Sequence, residues 1–382
     1  MGSRYDVVVG GGSIAGLTFA CEAAKKGLKV LVVEEHETIG EPEKCDGLVS
    51  LRGLRRYGYQ PKPDVMQSRI DSAVISAPSG SMFELDASFL EVVVLARGRF
   101  DQQVASNALD AGAKLLTGKR ASRIKEAANG ISLFVGSENL EASYYVDATG
   151  PASSPTHGIL PAAKYEVEGN WIREGKVEVY IDPRNYPGFF AWVIPYGENL
   201  AKVGVAGRGI DSFASLDRFL LRRPCKVLRK VAAPIYIGGP AQQFVNGRLV
   251  KVGESAGQVK PTTGGGIMTS IAGAVSAARW VSQALEKDDP DVLVGYQKEW
   301  EGDFLKEMKD MLRLRKVFEH LSSREVDSLI EVVSAPKVLS ELSRSDFDFH
   351  ATSLLRVMGV RGMMKLARVV ASAEARALLV RK

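Results

Sequence analysis

A glycine-rich turn followed at a fixed distance by an acidic residue gives the N-terminal part of this sequence the chemistry to hold a nucleotide. The turn reads Gly-Gly-Ser-Ile-Ala-Gly from Gly11 to Gly16, and Glu34 lies 23 residues beyond Gly11, near the roughly 20 residues typical of dinucleotide-binding turns. Small residues let the backbone approach a pyrophosphate, and a carboxylate after the next strand accepts the ribose hydroxyls. Ser13 stands where the pattern has its middle glycine, and serine is the smallest replacement. The spacing predicts a dinucleotide site.

A second glycine-rich segment lies near residue 260. Gly253 and Glu254 end a predicted strand, and Pro261 and the glycine run 264–266 precede Ile267, where a helix is predicted to begin. A glycine run at a helix start presents free N–H groups and the positive end of the helix dipole to an anionic or electron-rich ligand. The Glu254 carboxylate is suited to sugar-alcohol hydroxyls. Because two such turns stand far apart in the chain, we predict one long cofactor bound across the fold.

The loop after Glu34 carries a further set of reactive side chains. Residues 36–47 are polar and include Pro42, Cys45 and Asp46. A long loop directly after a ribose-binding acid is well placed to fold over the cofactor. For an isolated cysteine the alternative interpretation is a packed thiol without a chemical role, and both interpretations stay open.

The elements that must position these residues alternate between strands and helices. The run Val7 to Val9 predicts a buried strand, Leu17 to Lys26 has helical spacing that ends at Gly27, and Lys29 to Val33 predicts the next strand. Further predicted strands are Ser72 to Ser76 paired with Met82 to Leu85, Val92 to Leu95, Lys114 to Leu116, Ala121 to Glu126 paired with Ile131 to Val135, and Tyr144 to Asp147, which leads into Ala-Thr-Gly. Further predicted helices are Arg99 to Ala111 with Arg97 just before it, 267–285, Tyr296 to His320 as one helix or two, and Glu325 to Val333.

Residues 164–206 show a different pattern, strands without helices between them. The predicted strands are Tyr165 to Val167, Val177 to Ile181, Phe189 to Ile194 and Ala201 to Ala206. Their alternation predicts an antiparallel sheet with one covered face. The third of them carries Phe190 and Trp192, and the sequence leaves open whether these rings fill a core or line a ligand site.

The composition is that of an ordinary soluble globular chain of 382 residues, long enough for about two domains. The net charge of +5 is mild and does not indicate a nucleic-acid partner. No run approaches the roughly 18 apolar residues needed to cross a bilayer, and the N-terminus is a cofactor strand rather than a signal peptide, so we expect a cytoplasmic protein. Three scattered cysteines and four histidines, without CxxC or HExxH spacing, indicate neither a disulfide framework nor a metal site.

The C-terminal segment from Ala351 to Lys382 is basic and amphipathic. Its lysines and arginines alternate with leucines and methionines, and Glu374 is its single acid. Such a helix is able to lie on an anionic membrane surface. A packed helix with a charged, solvated face is the more common case, so a peripheral membrane contact is one of two open interpretations.

Taken together, these motifs resemble the geranylgeranyl reductases, archaeal and plant-type (digeranylgeranylglycerophospholipid reductase-like), among the FAD-dependent oxidoreductases with the p-hydroxybenzoate-hydroxylase-like fold. The specific parts are the Pro-x-x-Cys at 42–45 and the proline and triple-glycine loop at 261–266, while the other motifs are shared with flavin monooxygenases. The family's substrate sheet carries a Pro-x-x-Tyr-x-Trp-x-Phe-Pro motif. Here Phe190 and Ile194 replace its tyrosine and phenylalanine, and Glu254 replaces an aspartate of the family.

The resemblance implies a mixed α/β (α+β) fold in three parts: a Rossmann-like FAD-binding domain, an antiparallel-sheet substrate domain and a helical C-terminal region. The implied boundaries are 1–60, 96–155 and 246–289 for a discontinuous FAD-binding domain, 61–95 and 156–245 for the substrate domain, and 290–382 for the helical region.

The resemblance also implies the residues of the site. The FAD-binding residues would be Gly11, Ser13, Ala15, Gly16, Glu34, Cys45, Asp46, Arg97, Ala121, Glu254, Gly265, Gly266 and Ile267. Phe190 and Trp192 would contact the substrate. Cys45 is the candidate catalytic residue, and its role as proton donor, orienting group or spacer stays open.

The implied activity is an FAD-dependent reduction of double bonds in geranylgeranyl chains, on archaeal-type ether lipids or their diphosphate precursors. A monooxygenase acting on an aromatic or lipophilic substrate is the alternative, and a flavin-free prenyl or lipid carrier is a third hypothesis. Since the sequence shows no second complete dinucleotide motif, the electrons are expected from an external donor, either a ferredoxin-like protein or a reduced nicotinamide.

Overall fold

The N-terminal strand–helix–strand unit forms where the sequence predicts it, in a computed structural model that describes residues 4–127, 129–150 and 158–355. Strands β1 (Tyr5–Gly10) and β2 (Val30–Val33) lie side by side and parallel, and helix α1 (Ile14–Lys25) connects them. All four residues of β2 are buried. A continuous apolar run is expected of a strand that is covered on both faces. The predicted unit is therefore confirmed.

The remaining elements are numbered along the chain. The strands are β3 (Leu48–Ser50), β4 (Met66–Ile70), β5 (Ser72–Ser76), β6 (Met82–Asp86), β7 (Val92–Leu95), β8 (Lys114–Leu116), β9 (Ala121–Ala127), β10 (Gly130–Val135), β11 (Glu138–Asp147), β12 (Ile159–Leu160), β13 (Ala162–Glu168), β14 (Lys176–Tyr180), β15 (Ala191–Gly197), β16 (Leu200–Ala206), β17 (Lys226–Ala232), β18 (Ile235–Tyr236), β19 (Val245–Asn246) and β20 (Leu249–Lys251). The helices are α2 (Leu51–Arg55), α3 (Arg97–Asp110), α4 (Ser212–Leu220), α5 (Ile267–Lys287), α6 (Val294–Phe318), α7 (Ser323–Val333) and α8 (Pro336–Ser343). The fold class predicted from the sequence, a mixed α/β protein with a helical C-terminal region, is confirmed.

The main sheet has the strand order β19-β20-β11-β1-β2-β8, with β1 near its centre. Strands β20, β11, β1, β2 and β8 run parallel, so Gly10, Val33, Asp147 and Lys251 end at the same edge. Open parallel sheets bind their ligands at the carboxyl ends of the strands. Both glycine-rich segments begin at this edge of the sheet.

A second sheet has the order β17-β13-β16-β15-β14-β5-β6 and is antiparallel apart from the β14–β5 pair. It confirms the predicted antiparallel sheet and the predicted β5–β6 hairpin, but the prediction of a single covered face was wrong, since β15 and β16 place residues in a core on each side of the sheet. The predicted start of β15 was wrong: Phe189 and Phe190 precede the strand instead of opening it. The reason is a turn at Gly188 (φ 72°), in which the Phe189 N–H donates to the Tyr186 carbonyl (3.0 Å).

A small sheet of order β3-β7-β4 lies between the two large ones. Side chains of a strand point alternately to its two faces, and β7 uses both faces. Val93 and Leu95 belong to the core around α1 and α5, whereas Val92 and Val94 belong to the core beneath the second sheet. The predicted division into domains stays a prediction, since β7 contributes to the cores on both sides of it.

The C-terminal region is helical as predicted, and the segment 294–318 is one helix rather than two. Helix α7 begins with a capping box, in which Ser322 and Glu325 satisfy each other's backbone N–H groups. Residues 350–355 are also helical. Most of the predicted basic tail, residues 356–382, lies outside the described residues. Within the described ranges no helix has the length and apolar character needed to cross a membrane.

Candidate active site

The first glycine turn is packed so tightly that Gly12 and Gly16 have no room for a side chain. A Cβ on Gly16 would overlap the carbonyl oxygen of Gly11, and a Cβ on Gly12 would lie 2.6 Å from the Ile39 side chain. Glu34 follows β2, and its Oε2 accepts a hydrogen bond from the Gly12 N–H (2.6 Å). The carboxylate predicted to bind a ribose thus lies directly against the predicted pyrophosphate turn.

Glu34 is held in its ionised form. Burial acts to raise the pKa of this carboxyl, but hydrogen bonds from the His36 and Gly12 N–H groups and from the His36 side chain outweigh burial and lower the pKa. A carboxylate that accepts several hydrogen bonds keeps its charge at neutral pH. Glu34 is therefore an acceptor for hydroxyl groups.

The N-terminus of α1 is open to an anion. Ser13 occupies the N-cap position but makes no capping hydrogen bond, and its Oγ donates instead to the Ala148 carbonyl (3.3 Å). The first N–H groups of a helix without a capping side chain are free to bind a phosphate. Ala15, in the same turn, is buried.

The second glycine segment meets the first one here. A Cβ on Gly253 would lie 2.7 Å from that of Ala15, so the backbone after β20 passes close to α1. Glu254 Oε2 lies 3.6 Å from where a Cβ on Gly150 would stand. Burial raises the pKa of Glu254, against the opposing charges of Lys44 and Arg97. Three motifs that are far apart in the sequence therefore come together around Glu254.

Ser255 fastens two of these motifs to each other. Its Oγ donates to Asp147 Oδ1 (3.1 Å) and accepts from the Gly150 N–H (3.0 Å). Asp147 also accepts from the N–H of Thr149 (3.0 Å). The Ala-Thr-Gly segment thus has a fixed conformation beside Glu254.

The triple-glycine loop leads into α5. Gly266 is the N-cap of α5 and no side chain caps this helix, so Ile267 begins it with unclaimed N–H groups on the first turn. The Gly265 carbonyl accepts from the Lys260 N–H (2.9 Å), which closes the loop. The Lys260 ammonium is buried and pairs with Asp348 (3.0 Å). A segment from the C-terminal region therefore covers the far side of this loop.

Arg97 lies at the start of α3 and is buried. Its Nη2 pairs with Asp101 (3.0 Å), while Nε and Nη1 have no hydrogen-bond partner among the described residues. Burial alone would lower the pKa of the guanidinium, but the charges of Asp101, Cys45 and Glu43 raise it. Buried donors without partners are costly unless a ligand satisfies them.

The segment from Pro42 to Gly47, here called the cysteine loop, crosses in front of these groups. The Cys45 side chain is exposed, and its sulfur accepts from the Gly47 N–H (3.4 Å). Asp46 Oδ2 accepts from Trp192 Nε1 (2.8 Å), whereas Oδ1 has no hydrogen-bond partner within the described ranges. The loop therefore connects the cofactor motifs to the second sheet.

Two buried lysines of the second sheet hold the cysteine loop, and no sequence motif marks them. Lys164 on β13 donates to the carbonyl oxygens of Glu43 (3.0 Å) and Cys45 (3.1 Å). Lys202 on β16 donates to Glu43 Oε1 (3.0 Å) and to the Asp46 carbonyl (3.0 Å). Each lysine side chain is only 1% exposed. Buried charges are stable only when they are paired and hydrogen-bonded, so this lysine pair fixes the conformation of the loop.

The lysine pair acts on the two carboxyl groups of the loop. Burial would raise the pKa of Glu43, but Lys202 and the Gly98 N–H lower it below its ordinary value. Burial raises the pKa of Asp46, although Lys164, Lys202 and the Trp192 indole oppose the change. Glu43 is the ionised partner of the lysine pair.

The rings of Phe189, Phe190 and Trp192, here called the aromatic wall, stand beside the cysteine loop. Phe189 and Phe190 are stacked with centroids 4.1 Å apart, and Trp192 meets Phe190 edge-on at 6.0 Å. A Cβ on Gly204, the partner of Trp192 on β16, would overlap the indole. Phe190 and Trp192, predicted as substrate contacts, therefore lie in an apolar region that borders the predicted flavin loop.

Ala121 is the predicted residue that lies apart from this group. It pairs with Val135 on the β9–β10 hairpin and packs with the core on the other face of the main sheet. The connection to the site is indirect: the Lys119 N–H, two residues earlier, donates to the Glu34 carbonyl (3.0 Å). Within the described parts of the chain no group of His, Cys, Asp and Glu side chains is arranged to hold a metal ion.

The segment 346–352 packs against the loop that contains the triple glycine, and its His350 lies against Thr262. His350 Nε2 lies 2.8 Å from Thr262 Oγ1, and burial together with Lys260 lowers the pKa of His350 from its ordinary 6.5 to about 4. A histidine with a lowered pKa stabilises the fold fully above its unfolded pKa, and this contribution is lost as the pH falls from about 6.5 towards 4.

We expect the free energy of unfolding of the parent protein to fall by about 1 kcal/mol more than that of His350→Gln between pH 6.5 and pH 5.5. Urea titrations at both pH values measure the difference. His320→Gln, which changes an exposed histidine, is the matched control. Equal pH dependence in the parent and His350→Gln would contradict this account.

Comparison with known proteins places the chain in a family. A family model described as FAD dependent oxidoreductase matches residues 6–154. Digeranylgeranylglycerophospholipid reductase 2 of Methanothermobacter thermautotrophicus is 31% identical over 380 residues, which span 93% of this chain and 96% of the relative. The chain belongs to the digeranylgeranylglycerophospholipid reductase family. Digeranylgeranylglycerophospholipid reductase 1 of Methanopyrus kandleri is also 31% identical, and the alignment spans 89% of this chain and 99% of that relative.

Solved structures agree on the fold of this reductase family member. A geranylgeranyl bacteriochlorophyll reductase-like protein from Thermoplasma acidophilum superposes with a TM-score of 0.85 at 23% identity, over 98% of this chain and 99% of the other. The p-nitrophenol 4-monooxygenase of Pseudomonas putida superposes with a TM-score of 0.68 at 17% identity, over 92% and 99%. At these identities the superpositions establish the architecture alone, and reductases and monooxygenases share it.

The cofactor of this reductase family member is FAD, and three features of the site fit it. The uncapped N-terminus of α1 offers N–H groups to a pyrophosphate, and Glu34 offers a carboxylate to a ribose. Arg97 keeps two buried nitrogen atoms without partners among the described residues, which a polar cofactor would satisfy. The donor set therefore suits a long molecule with an anionic centre.

Proposed function

We propose that this protein saturates double bonds of geranylgeranyl chains, in ether lipids of the archaeal type or in their diphosphate precursors. The observation that carries the proposal is the hydrogen bond from Trp192 to Asp46 (2.8 Å), which joins the aromatic wall to the cysteine loop. An unactivated alkene offers few polar handles, so a site for it must be apolar and must end beside the redox group. The relatives are named as reductases of geranylgeranyl phospholipids, which favours the same substrate class here.

The residues of this chain position the reactants and exclude water. FAD, when bound, supplies a hydride equivalent for one alkene carbon, and a proton must reach the other carbon. The aromatic wall orients the isoprenoid, and the lysine pair holds the cysteine loop rigid beside it. We propose the residues implied by the family resemblance as the FAD-binding set, with Ala121 the most remote of them. Asp46, which accepts from the Trp192 indole, and its neighbour Cys45 are the side chains of the cysteine loop that we propose beside the flavin.

We further propose an external electron donor and a peripheral contact with membrane. A ferredoxin-like protein or a reduced nicotinamide would deliver the electrons, because the sequence carries no second complete dinucleotide motif. The basic tail was one basis for the membrane contact, and its residues beyond 355 lie outside the described part of the chain. A lipid substrate gives an independent reason for it.

An anaerobic single-turnover experiment tests the activity. The purified protein is reduced with dithionite, geranylgeranyl diphosphate or an unsaturated archaeal lipid is added, and the flavin spectrum and the product mass are followed. We expect the oxidised flavin spectrum to return without oxygen, with a product that has gained two hydrogens for each double bond reduced. If the flavin stays reduced until oxygen is admitted, the reductase proposal is wrong and a monooxygenase becomes the better account.

Phe190→Ala is expected to lower kcat/KM for the isoprenoid about 10- to 100-fold, because removing the ring removes apolar contacts that bind an apolar substrate chain. The flavin content should not change, since Phe190 contacts Phe189 and Trp192 rather than the glycine turns. Phe134→Ala is the matched control: Phe134 is also partly buried, but lies on β10 beneath Arg123. Equal losses in both variants would argue against a substrate contact at Phe190.

A further inference from the structure

Helix α4 and strand β17 form a surface that combines exposed apolar and basic side chains. Its large apolar residues are Phe213, Leu221, Val227 and Leu228. Leu221 is 80% exposed, the most exposed large hydrophobic side chain in the described part of the chain. We call this surface the α4–β17 face. Scattered single apolar residues need no explanation, but several within one short stretch mark an interaction site.

The α4–β17 face carries an excess of positive charge. Its basic residues are Arg218, Arg222, Arg223, Lys226, Arg229 and Lys230, and the acids beside them are Glu166, Glu168 and Asp217. The three acids pair with Arg229 (3.6 Å), Lys226 (4.0 Å) and Lys230 (3.5 Å) respectively. Arg218 and Arg222 are exposed. The surface therefore attracts anions while its apolar side chains face solvent.

Strand β17 contributes side chains on both of its faces: Lys230 and Val227 pair with Tyr165 and Val167 on the side covered by α4, whereas Lys226 and Arg229 pair with Glu168 and Glu166 on the other side. Phe213, Asp217 and Leu221 follow each other at intervals of four residues along α4 and so lie in one row. Lys230 stands over the ring of Tyr165 (4.4 Å), and Phe213 lies against the same ring (6.1 Å). The inner face of α4 packs on this side of the sheet. The helix and this edge strand are therefore adjacent at Phe213 and Lys230, and the strand exposes its remaining charges at the edge of the sheet.

The charge of β17 argues against a second copy of this chain as the partner. The strand is at an edge of the second sheet, and free edges invite pairing with another strand. Lys226, Arg229 and Lys230 would then meet the same residues of the other copy, and facing like charges destabilise a strand pair. The strand carries the kind of charge that blocks edge pairing, and the exposed leucines need another occupant.

The chain runs directly from this surface to the aromatic wall. Leu228 is seven residues before Ile235, about 20–25 Å when extended. Ile235 packs with the core that contains Phe189 and Trp192, and a Cβ on Gly264 would overlap its side chain. A short stretch of chain, β17 followed by β18, therefore connects the exposed apolar side chains with the core of the aromatic wall.

We propose that the α4–β17 face rests on the anionic surface of a lipid bilayer, and that the isoprenoid chain enters along β17 and β18. Leu221 and Leu228 enter the boundary between head groups and acyl chains, and Arg218 and Arg222 contact the lipid phosphates. Basic residues interleaved with apolar ones are typical of segments that bind membranes in this way. The entry route rests on the proposed lipid substrate, whereas the membrane contact is measured separately from it.

Cosedimentation of the purified full chain with vesicles tests the contact. We expect binding to anionic vesicles of about 70% phosphatidylcholine and 30% phosphatidylglycerol. Little binding is expected to vesicles of phosphatidylcholine alone. The double variant Leu221→Ser/Leu228→Ser should reduce the partition coefficient at least about tenfold, and Arg218→Gln/Arg222→Gln should remove the preference for anionic lipid. Val294→Ser, which changes an exposed apolar residue on α6, is the matched control and should bind like the parent.

Three outcomes would overturn the proposal. In the first, the parent chain does not bind anionic vesicles. In the second, the α4–β17 variants bind as the parent does, which places the contact elsewhere in the chain. In the third, the variants alter the molecular mass of the protein in solution, or its capture of an acidic protein, while vesicle binding is unchanged. Activity on a dispersed prenyl diphosphate separates this inference from the proposed function. If the variants lose vesicle binding but keep that activity, both stand. If the parent reduces neither the diphosphate nor a dispersed unsaturated ether lipid, the proposed function and the entry route fail, while the vesicle data still decide the membrane contact.

Discussion

Gly16→Ala is expected to purify with little flavin and to bind added FAD about 10- to 100-fold more weakly than the parent. The new Cβ would overlap the carbonyl oxygen of Gly11, so α1 must move away from the turn that its N-terminus serves. Forcing an extra carbon into a packed site costs about 1–3 kcal/mol, and each 1.4 kcal/mol is about tenfold in Kd. Absorbance at the flavin band and a titration with FAD measure both effects.

Gly27→Ala is the matched control in the same strand–helix–strand unit. Gly27 has a φ of 83° and no heavy atom within 4 Å of where its Cβ would stand. The substitution therefore costs backbone strain of about 1–2 kcal/mol and leaves the turn in place, so FAD binding should be normal. Normal flavin content in Gly16→Ala would show that the close approach of α1 to the turn is not what binds the cofactor.

Lys202→Met is expected to lower the free energy of unfolding by about 3–5 kcal/mol, the range measured when one partner of a buried ion pair is removed. The substitution leaves Glu43 without its ammonium partner and leaves the carbonyl oxygens of Asp46 and Leu95 without a donor. The cysteine loop loses its anchor to β16, so turnover should fall as well. Urea denaturation followed by circular dichroism gives the change in stability.

Lys230→Met is the comparison for this prediction, because Lys230 belongs to the same sheet and pairs with Asp217 while both side chains are more than half exposed. A pair in that setting contributes about 0–1 kcal/mol. The double variant Lys202→Met/Glu43→Gln should recover part of the lost stability, since it no longer buries an unpaired carboxylate. A loss for Lys202→Met no larger than that for Lys230→Met would contradict the anchoring role.

The parts of the fold that the sequence predicts are those written in local patterns. The strand Val7 to Val9, the glycine turn and Glu34 are close in sequence, and their chemistry demands particular residue types, so the unit is recognisable from one chain. Helix α4 was not predicted, although Asp211 caps it by accepting from the Ala214 N–H (3.0 Å). Two sequence signals were available: an aspartate three residues before the capped N–H, which many loops also contain, and the helical spacing of Phe213, Leu216 and Phe219.

The lysine pair shows why the rest of the site could not be predicted from the sequence. Lys164 and Lys202 stand in strands whose neighbours are apolar or small, and strand periodicity places each on the face opposite to its neighbours. A lysine on such a face is usually exposed. Its burial follows from the cysteine loop, which is more than 100 residues away in the chain, and no local pattern carries that information. The exclusion of Phe189 and Phe190 from β15 was missed for a similar reason. The sequence does not show that Gly188 adopts a positive φ, because it precedes an apolar run that has the pattern of a strand.

The two-sided strand β7 restricts how this protein can be recombined with its relatives. Val93 and Leu95 pack into one core and Val92 and Val94 into the other, so a chimaera that takes β7 from one parent must match the side chains of both cores at once. A crossover point placed at the end of β7, where the chain turns into α3, would separate the strand from half of its neighbours. Exchanges that keep β3, β4 and β7 together with α1 and α5 preserve only one of the two cores, and any replacement of the aromatic wall, which shares the other core with Val92 and Val94, must fit those two valines as well.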